Sequence, residues 1–188
     1  MKIGAVKLGF VALIVASFLF LVWIATSQQE SSKPVLFFAY GANADRATMA
    51  SRAGGFESVQ PARLRDYRLS FQTNKNTDFG VANAIPEQGA EVAGALYVLT
   101  RAQIGALDKN ANVPKFYEKK SVSVVGTDGK SYDAFAYFLS GDAYFAVPSR
   151  PYLNATLSGL QALGFGQNEL DGVAAAAEEA VRKGSRGG

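Results

Sequence analysis

The 188-residue chain contains no His and no Cys, which excludes a Ser-His-Asp or Cys-His centre, thiol redox chemistry, disulfides and a zinc site of the usual ligands. Nineteen basic and 16 acidic residues give a net charge of +3. Lys2 and Lys7 supply two of those charges, so the remainder is close to neutral and points to no nucleic-acid partner. No metal or cofactor is expected, and any chemistry must come from carboxylates, Lys, Tyr, hydroxyls or backbone amides.

In chain order, the first feature is the nearly unbroken apolar run from Leu8 to Ala25. At about 1.5 Å per residue it is long enough as a helix to cross most of a bilayer core. With Lys2 and Lys7 before it, the run predicts residues 1–27 as a signal anchor in the membrane through 8–25, or a signal peptide cut after Ser27. The rest of the chain is then expected to be exported, held at the inner or cytoplasmic membrane on its periplasmic or extracytoplasmic side, or secreted if cleaved. The polar residues 28–33 read as a linker, 34–183 as one domain, and 184–188 as a disordered tail.

Val35 to Tyr40 is a continuous apolar run ending at Gly41, as expected of a strand covered on both faces. The segment Phe37-Phe38-Ala39-Tyr40-Gly41-Ala42-Asn43, followed by Ala44-Asp45-Arg46-Ala47-Thr48-Met49, reads as that strand turning sharply into a helix. Such a turn points backbone N–H groups at whatever lies above the strand end, where an anionic group can be held.

From Arg63 to Gln72, Tyr67, Leu69 and Phe71 alternate with Arg68 and Ser70, giving a strand with one wet face. Val81 to Ile85 reads as a short strand stopped by Pro86, and Glu91 to Leu99 as a core strand. Thr100 caps a predicted helix from Arg101 to about Lys109. Phe116 to Val125 and Ser131 to Leu139 form two strands joined by Thr127-Asp128-Gly129-Lys130, whose Asp-Gly pair is a strong hairpin signal. A loop over 140–151 precedes predicted helices from Tyr152 to Leu163 and Glu169 to Arg182. Strands in the middle and helices on the flanks argue α+β, a small mixed sheet or barrel with flanking helices behind one N-terminal transmembrane or signal helix.

The strand ending in Tyr-Gly-x-Asn gains specificity in combination. It is followed by Ala62-Arg63-Leu64-Arg65-Asp66-Tyr67-Arg68-Leu69-Ser70-Phe71, then Val92-Ala93-Gly94-Ala95-Leu96-Tyr97-Val98-Leu99, then Leu107-Asp108 and Tyr117-Glu118-Lys119-Lys120. That order and spacing resembles the γ-glutamylcyclotransferase family and its γ-glutamylamine cyclotransferase relatives, from about Pro34 to Val173. The resemblance implies a small-molecule γ-glutamyl or amino-acid-like ligand, cradled by a Tyr-Gly-Ser-Asn turn. Tyr40, Gly41 and Asn43 match that turn, Ala42 replaces the Ser, and Tyr117 resembles a substrate-lining Tyr.

The reaction the resemblance implies is intramolecular: the α-amine of a γ-glutamyl group attacks its own γ-carbonyl, releasing an amine and 5-oxoproline. It needs a base for the ammonium proton and donors for the developing oxyanion. In the relatives the base is the Glu of a Leu-Asp-x-x-Glu-Gly pattern; here the chain reads Leu107-Asp108-Lys109-Asn110-Ala111-Asn112, with Ala111 in the place of the Glu. Asp108, three residues earlier on nearly the same helical face, is the replacement candidate. Glu118 is expected to face away if Tyr117 faces the pocket, and Glu87 and Glu91 to be solvated. Tyr97, Tyr137, Tyr144 and Tyr152 are expected in core or pocket wall.

Two functions follow as expectations. One is an exported domain that holds a γ-glutamyl-type ligand with diverged or weak cyclotransferase chemistry. The other is a catalytically inactive binding or scaffold module at the membrane.

Overall fold

The structure, a computed structural model, describes residues 15–23, 34–74 and 79–184. The chain divides into two units, Met1–Lys33 and Pro34–Gly188. In the first, residues 15–23 form helix α1, with its apolar side chains exposed.

No helix among the described residues is long and apolar enough to cross a membrane. At about 1.5 Å per residue, the described helical residues 15–23 account for about 14 Å of a hydrocarbon core of about 30 Å. This overturns the expected transmembrane or signal helix, and with it the membrane attachment through 8–25, the export, and the inner-membrane, periplasmic or secreted placement. The remainder of the expected anchor, the cleavage position after Ser27 and the linker 28–33 lie outside the described residues, as do 185–188.

The second unit contains β1 (Val35–Ala39), a 3-10 turn (Ala42–Ala44), α2 (Arg46–Ala53), β2 (Ser58–Thr73), β3 (Val81–Leu99), α3 (Arg101–Asn110), β4 (Tyr117–Gly126), β5 (Ser131–Leu139), β6 (Tyr144–Phe145), α4 (Arg150–Ala162) and α5 (Gln167–Gly184). The strands run in the order β3-β1-β5-β4-β2, and β2 pairs again with β3, closing a five-strand barrel. Only β1 and β5 are parallel within it. The short β6 pairs with the end of β2.

β1 lies between β3 and β5, which explains its unbroken apolar sequence: Phe37 and Phe38 point to opposite faces and both are buried. Full burial of such a side chain contributes about 1.5–3 kcal/mol. These two rings join Leu64, Phe71, Leu96, Tyr97, Leu99, Leu107 and Val124 in one core.

β3 does not stop at Pro86. Tyr67 pairs with Pro86 and Arg65 with Glu91, so residues 87–90 loop out opposite the single residue Asp66. Asp66 (φ 60°) and Gly89 (φ 81°) both adopt positive φ, and the Gly89 N–H donates to Asp66 Oδ1 at 2.9 Å. A proline at such a bulge breaks no ladder, so the strand continues past it.

The local signals at other elements are met in the structure. Thr100 and Gln103 form a capping box at the start of α3, and Gly129 takes φ 76° in the turn between β4 and β5. α4 begins two residues before the expected Tyr152, because Ser149 caps it and Pro151 sits in its first turn, where no N–H is needed.

Candidate functional site

A cavity of about 340 Å³ opens beside the end of β1. Tyr40, Gly41, Ala42 and Asn43 form one side of it. The turn is held by the Ala44 N–H donating to the Gly41 carbonyl (2.8 Å) and the Asp45 N–H donating to the Ala42 carbonyl (3.2 Å). Helix α2 begins only at Arg46, and its Thr48 N–H donates to Asp45 Oδ2 at 2.7 Å. The carboxylate of Asp45 therefore already serves the helix start, and what faces the cavity is the turn itself.

Tyr152 reaches this turn from α4. Its hydroxyl accepts from the Ala82 N–H at 3.1 Å. Tyr117 comes from the first position of β4 and faces the cavity. Its neighbour Glu118 points the other way, half exposed and paired with Lys120 at 2.8 Å, as strand alternation requires.

Tyr40 donates its hydroxyl proton to the Tyr137 carbonyl. The Tyr137 side chain also lines the cavity, and its hydroxyl donates to Asp108 Oδ1 at 2.6 Å. Burial pushes the Tyr40, Tyr117, Tyr137 and Tyr152 hydroxyls above their ordinary value, and Tyr137 is raised further by its bond to Asp108. All four are protonated phenols at neutral pH.

Asp108 is not itself on the cavity wall. Its second oxygen is taken by Lys119 Nζ at 2.7 Å, so it touches the cavity only through Tyr137. Ala111, the C-cap of α3, does line the cavity, as do Asn110 and Asn112 beside it. Asn112 has φ 53°, a left-handed conformation that Asn tolerates and Gly adopts freely. This accounts physically for an Asn at a position where the resemblance implies Gly.

Among the described residues that line the cavity, none is a carboxylate and one is charged, Arg52. Arg52 lies in the last turn of α2, half-buried, and its Nη1 donates to Asn43 Oδ1 at 2.7 Å. It was not among the residues the sequence singled out. Its nine-residue separation from Asn43 across a turn and a helix carries no periodic signal. Phe79 and Phe116 complete the apolar side.

The remaining sequence candidates lie elsewhere. Glu87 pairs with Arg68 at 2.9 Å, and Glu91 with Arg65 at 3.3 Å, away from the cavity. Tyr97 is a core residue whose hydroxyl donates to the Ala44 carbonyl, and Tyr144 is exposed.

Residues 37–154, well over half of the chain, match the gamma-glutamyl cyclotransferase, AIG2-like family. The chain is 28% identical over 132 residues to a gamma-glutamylcyclotransferase of Bos taurus, covering 66% of this chain and 68% of that protein. It is 27% identical over 124 residues to a gamma-glutamylcyclotransferase of Homo sapiens, covering 62% of this chain and 64% of that protein. The chain thus spans about two thirds of the length of these curated relatives. A solved structure of a gamma-glutamyl cyclotransferase superposes with a TM-score of 0.68 at 25% identity, covering 76% of this chain and 88% of that one. With the barrel, the turn at the end of β1 and the matched residues agreeing, the chain belongs to the gamma-glutamyl cyclotransferase, AIG2-like family.

Proposed function

We propose that this chain is a small-molecule-binding domain whose cavity takes a γ-glutamyl or related amino-acid-derived ligand against Tyr40, Gly41, Ala42, Asn43 and Tyr117. In this reading Ala111 stands where relatives carry their Glu base, and the domain binds without turning its ligand over. One observation carries it: the described cavity wall holds Ala111 and no carboxylate.

Cyclisation of a γ-glutamyl group needs a neutral amine. The ammonium proton must leave before nitrogen attacks the γ-carbonyl, and a positioned base typically supplies about 10²–10⁴ in rate. A methyl group accepts no proton. The four cavity phenols are protonated and raised above their ordinary value, so they serve as donors and not as bases. Asp108 is assigned the role of a positioning residue that holds the Tyr137 ring through its hydroxyl.

The test is calorimetry with γ-glutamylethylamide and 5-oxoproline, alongside a chromatographic assay for 5-oxoproline release. The expected result is saturable binding of at least one of them, no release above the uncatalysed rate, and release that appears in Ala111→Glu. Binding of neither compound overturns the reading. So does release by the unsubstituted protein that is lost in Asp108→Asn, which would make Asp108 the base.

A further inference from the structure

We infer that the cavity selects a carboxylate that carries no ammonium group, a monoanion such as a lactam acid or an N-acylated amino acid, over a zwitterionic amino-acid derivative. This rests on the ligand-binding reading above and narrows its ligand class.

The inference begins with the charge count. Arg52 is the charged residue of the described cavity wall, it is half-buried, and no acidic side chain pairs with it among the described residues. One guanidinium N–H is committed to Asn43, which fixes the orientation of the group and leaves further donors in its planar fork for a carboxylate. An anion beside this half-buried guanidinium gains both its charge and its remaining N–H donors. A bound carboxylate supplies that anion.

The acceptor inventory points the same way. The Asn43 side-chain oxygen is taken by Arg52, and the Tyr152 oxygen accepts from the Ala82 N–H. The phenol oxygens of Tyr117 and Tyr137 and the amide oxygens of Asn110 and Asn112 remain as neutral acceptors. Neutral oxygens hydrogen-bond an ammonium but do not balance its charge. A monoanion neutralises Arg52 completely; a zwitterion places its carboxylate on Arg52 and leaves its ammonium in the same cavity without an anion.

Ala111 decides this balance. A carboxylate at that position would add one negative charge to the wall and give the ammonium a partner. With a methyl there, Arg52 is the one charged side chain of the described wall.

The experiment compares L-5-oxoproline with L-γ-glutamylethylamide by calorimetry on the full chain at neutral pH. Both carry a carboxylate on the same stereocentre, and only the second carries an ammonium. 5-Oxoproline is expected to bind at least tenfold more tightly. Arg52→Gln is expected to weaken it at least tenfold, and Arg52→Lys to weaken it less, because the charge is kept while the planar fork is lost. N-Acetyl-L-alanine, an open-chain monoanion, is expected to bind more tightly than zwitterionic L-alanine, which a preference for ring shape alone would not produce. If γ-glutamylethylamide binds the unsubstituted protein as tightly as 5-oxoproline or more so, or if Arg52→Gln leaves 5-oxoproline affinity unchanged, this inference is overturned while the ligand-binding reading stands. Binding of neither overturns both.

Discussion

The Tyr152 hydroxyl occupies the space that a Cβ on residue 41 would need, with the Ala82 methyl 2.8 Å from the same point. Gly41 has φ −123°, so its lack of a side chain is required by this approach and not by backbone handedness. The tyrosine of α4 and the glycine after β1 therefore fit together as one wall of the cavity, although 111 positions separate them in the chain.

Gly41→Ala is accordingly expected to displace Tyr152 and break its hydrogen bond with the Ala82 N–H. Overpacking of this kind costs about 1–3 kcal/mol. Urea unfolding measures that loss, and calorimetry should register at least a tenfold fall in ligand affinity. A variant with unchanged stability and affinity would refute the fit.

Asp108 and Tyr137 separate positioning from charge. Asp108→Asn keeps an acceptor for the Tyr137 hydroxyl and loses only the half-exposed pair with Lys119, a change of up to about 1 kcal/mol. Asp108→Leu removes the acceptor and leaves a largely buried phenol unpartnered, at about 1–3 kcal/mol. The ordering Asp108→Leu well below Asp108→Asn in thermal unfolding is the expected outcome, and equal losses would contradict it.

Helix α5 is tied to β2 by two acid–base contacts, Glu169 with Arg63 at 2.5 Å and Glu179 with Arg68 at 2.8 Å. The Arg63 hydrogen bond holds the Glu169 carboxyl below its ordinary value, and the Lys183 hydrogen bond, joined by Arg68, does the same for Glu179. A carboxyl lowered in the folded state stabilises the fold above its unfolded pKa, near 4.5, and that stability is lost as pH falls through the lower folded-state values. Denaturation midpoints should therefore be level from pH 7 to about 5 and fall below that. The double variant Glu169→Gln, Glu179→Gln should start less stable, by up to about 1 kcal/mol per contact, and lose less between pH 5 and 3. Parallel acid profiles for the two proteins would exclude these contacts as the cause.

Much of the barrel was legible because its signals are local. An apolar run predicts β1, a Thr predicts the start of α3, an Asp-Gly pair predicts the turn from β4 to β5, and two-residue alternation predicts Tyr117 and Glu118 on opposite faces. Pro86 was misleading for the converse reason: its tolerance depends on the bulge that Asp66 and Gly89 build together across two strands.

By itself the sequence determined which chemistries are absent, since a chain without His or Cys lacks their side chains in any fold. Together with the order of its motifs, it also determined the family and the presence of Ala111. Tertiary structure alone decided that Ala111 faces the cavity, that Asp108 meets it only through Tyr137, and that Arg52 is set against Asn43 with no acid beside it among the described residues. It also corrected the apolar run, since no helix among the described residues is long and apolar enough to cross a membrane, and hydropathy reports the affinity of side chains for a nonpolar medium without fixing the length of helix that spanning one requires. The charge balance of a site is a sum over residues that only folding brings together, and no local window of the sequence contains that sum.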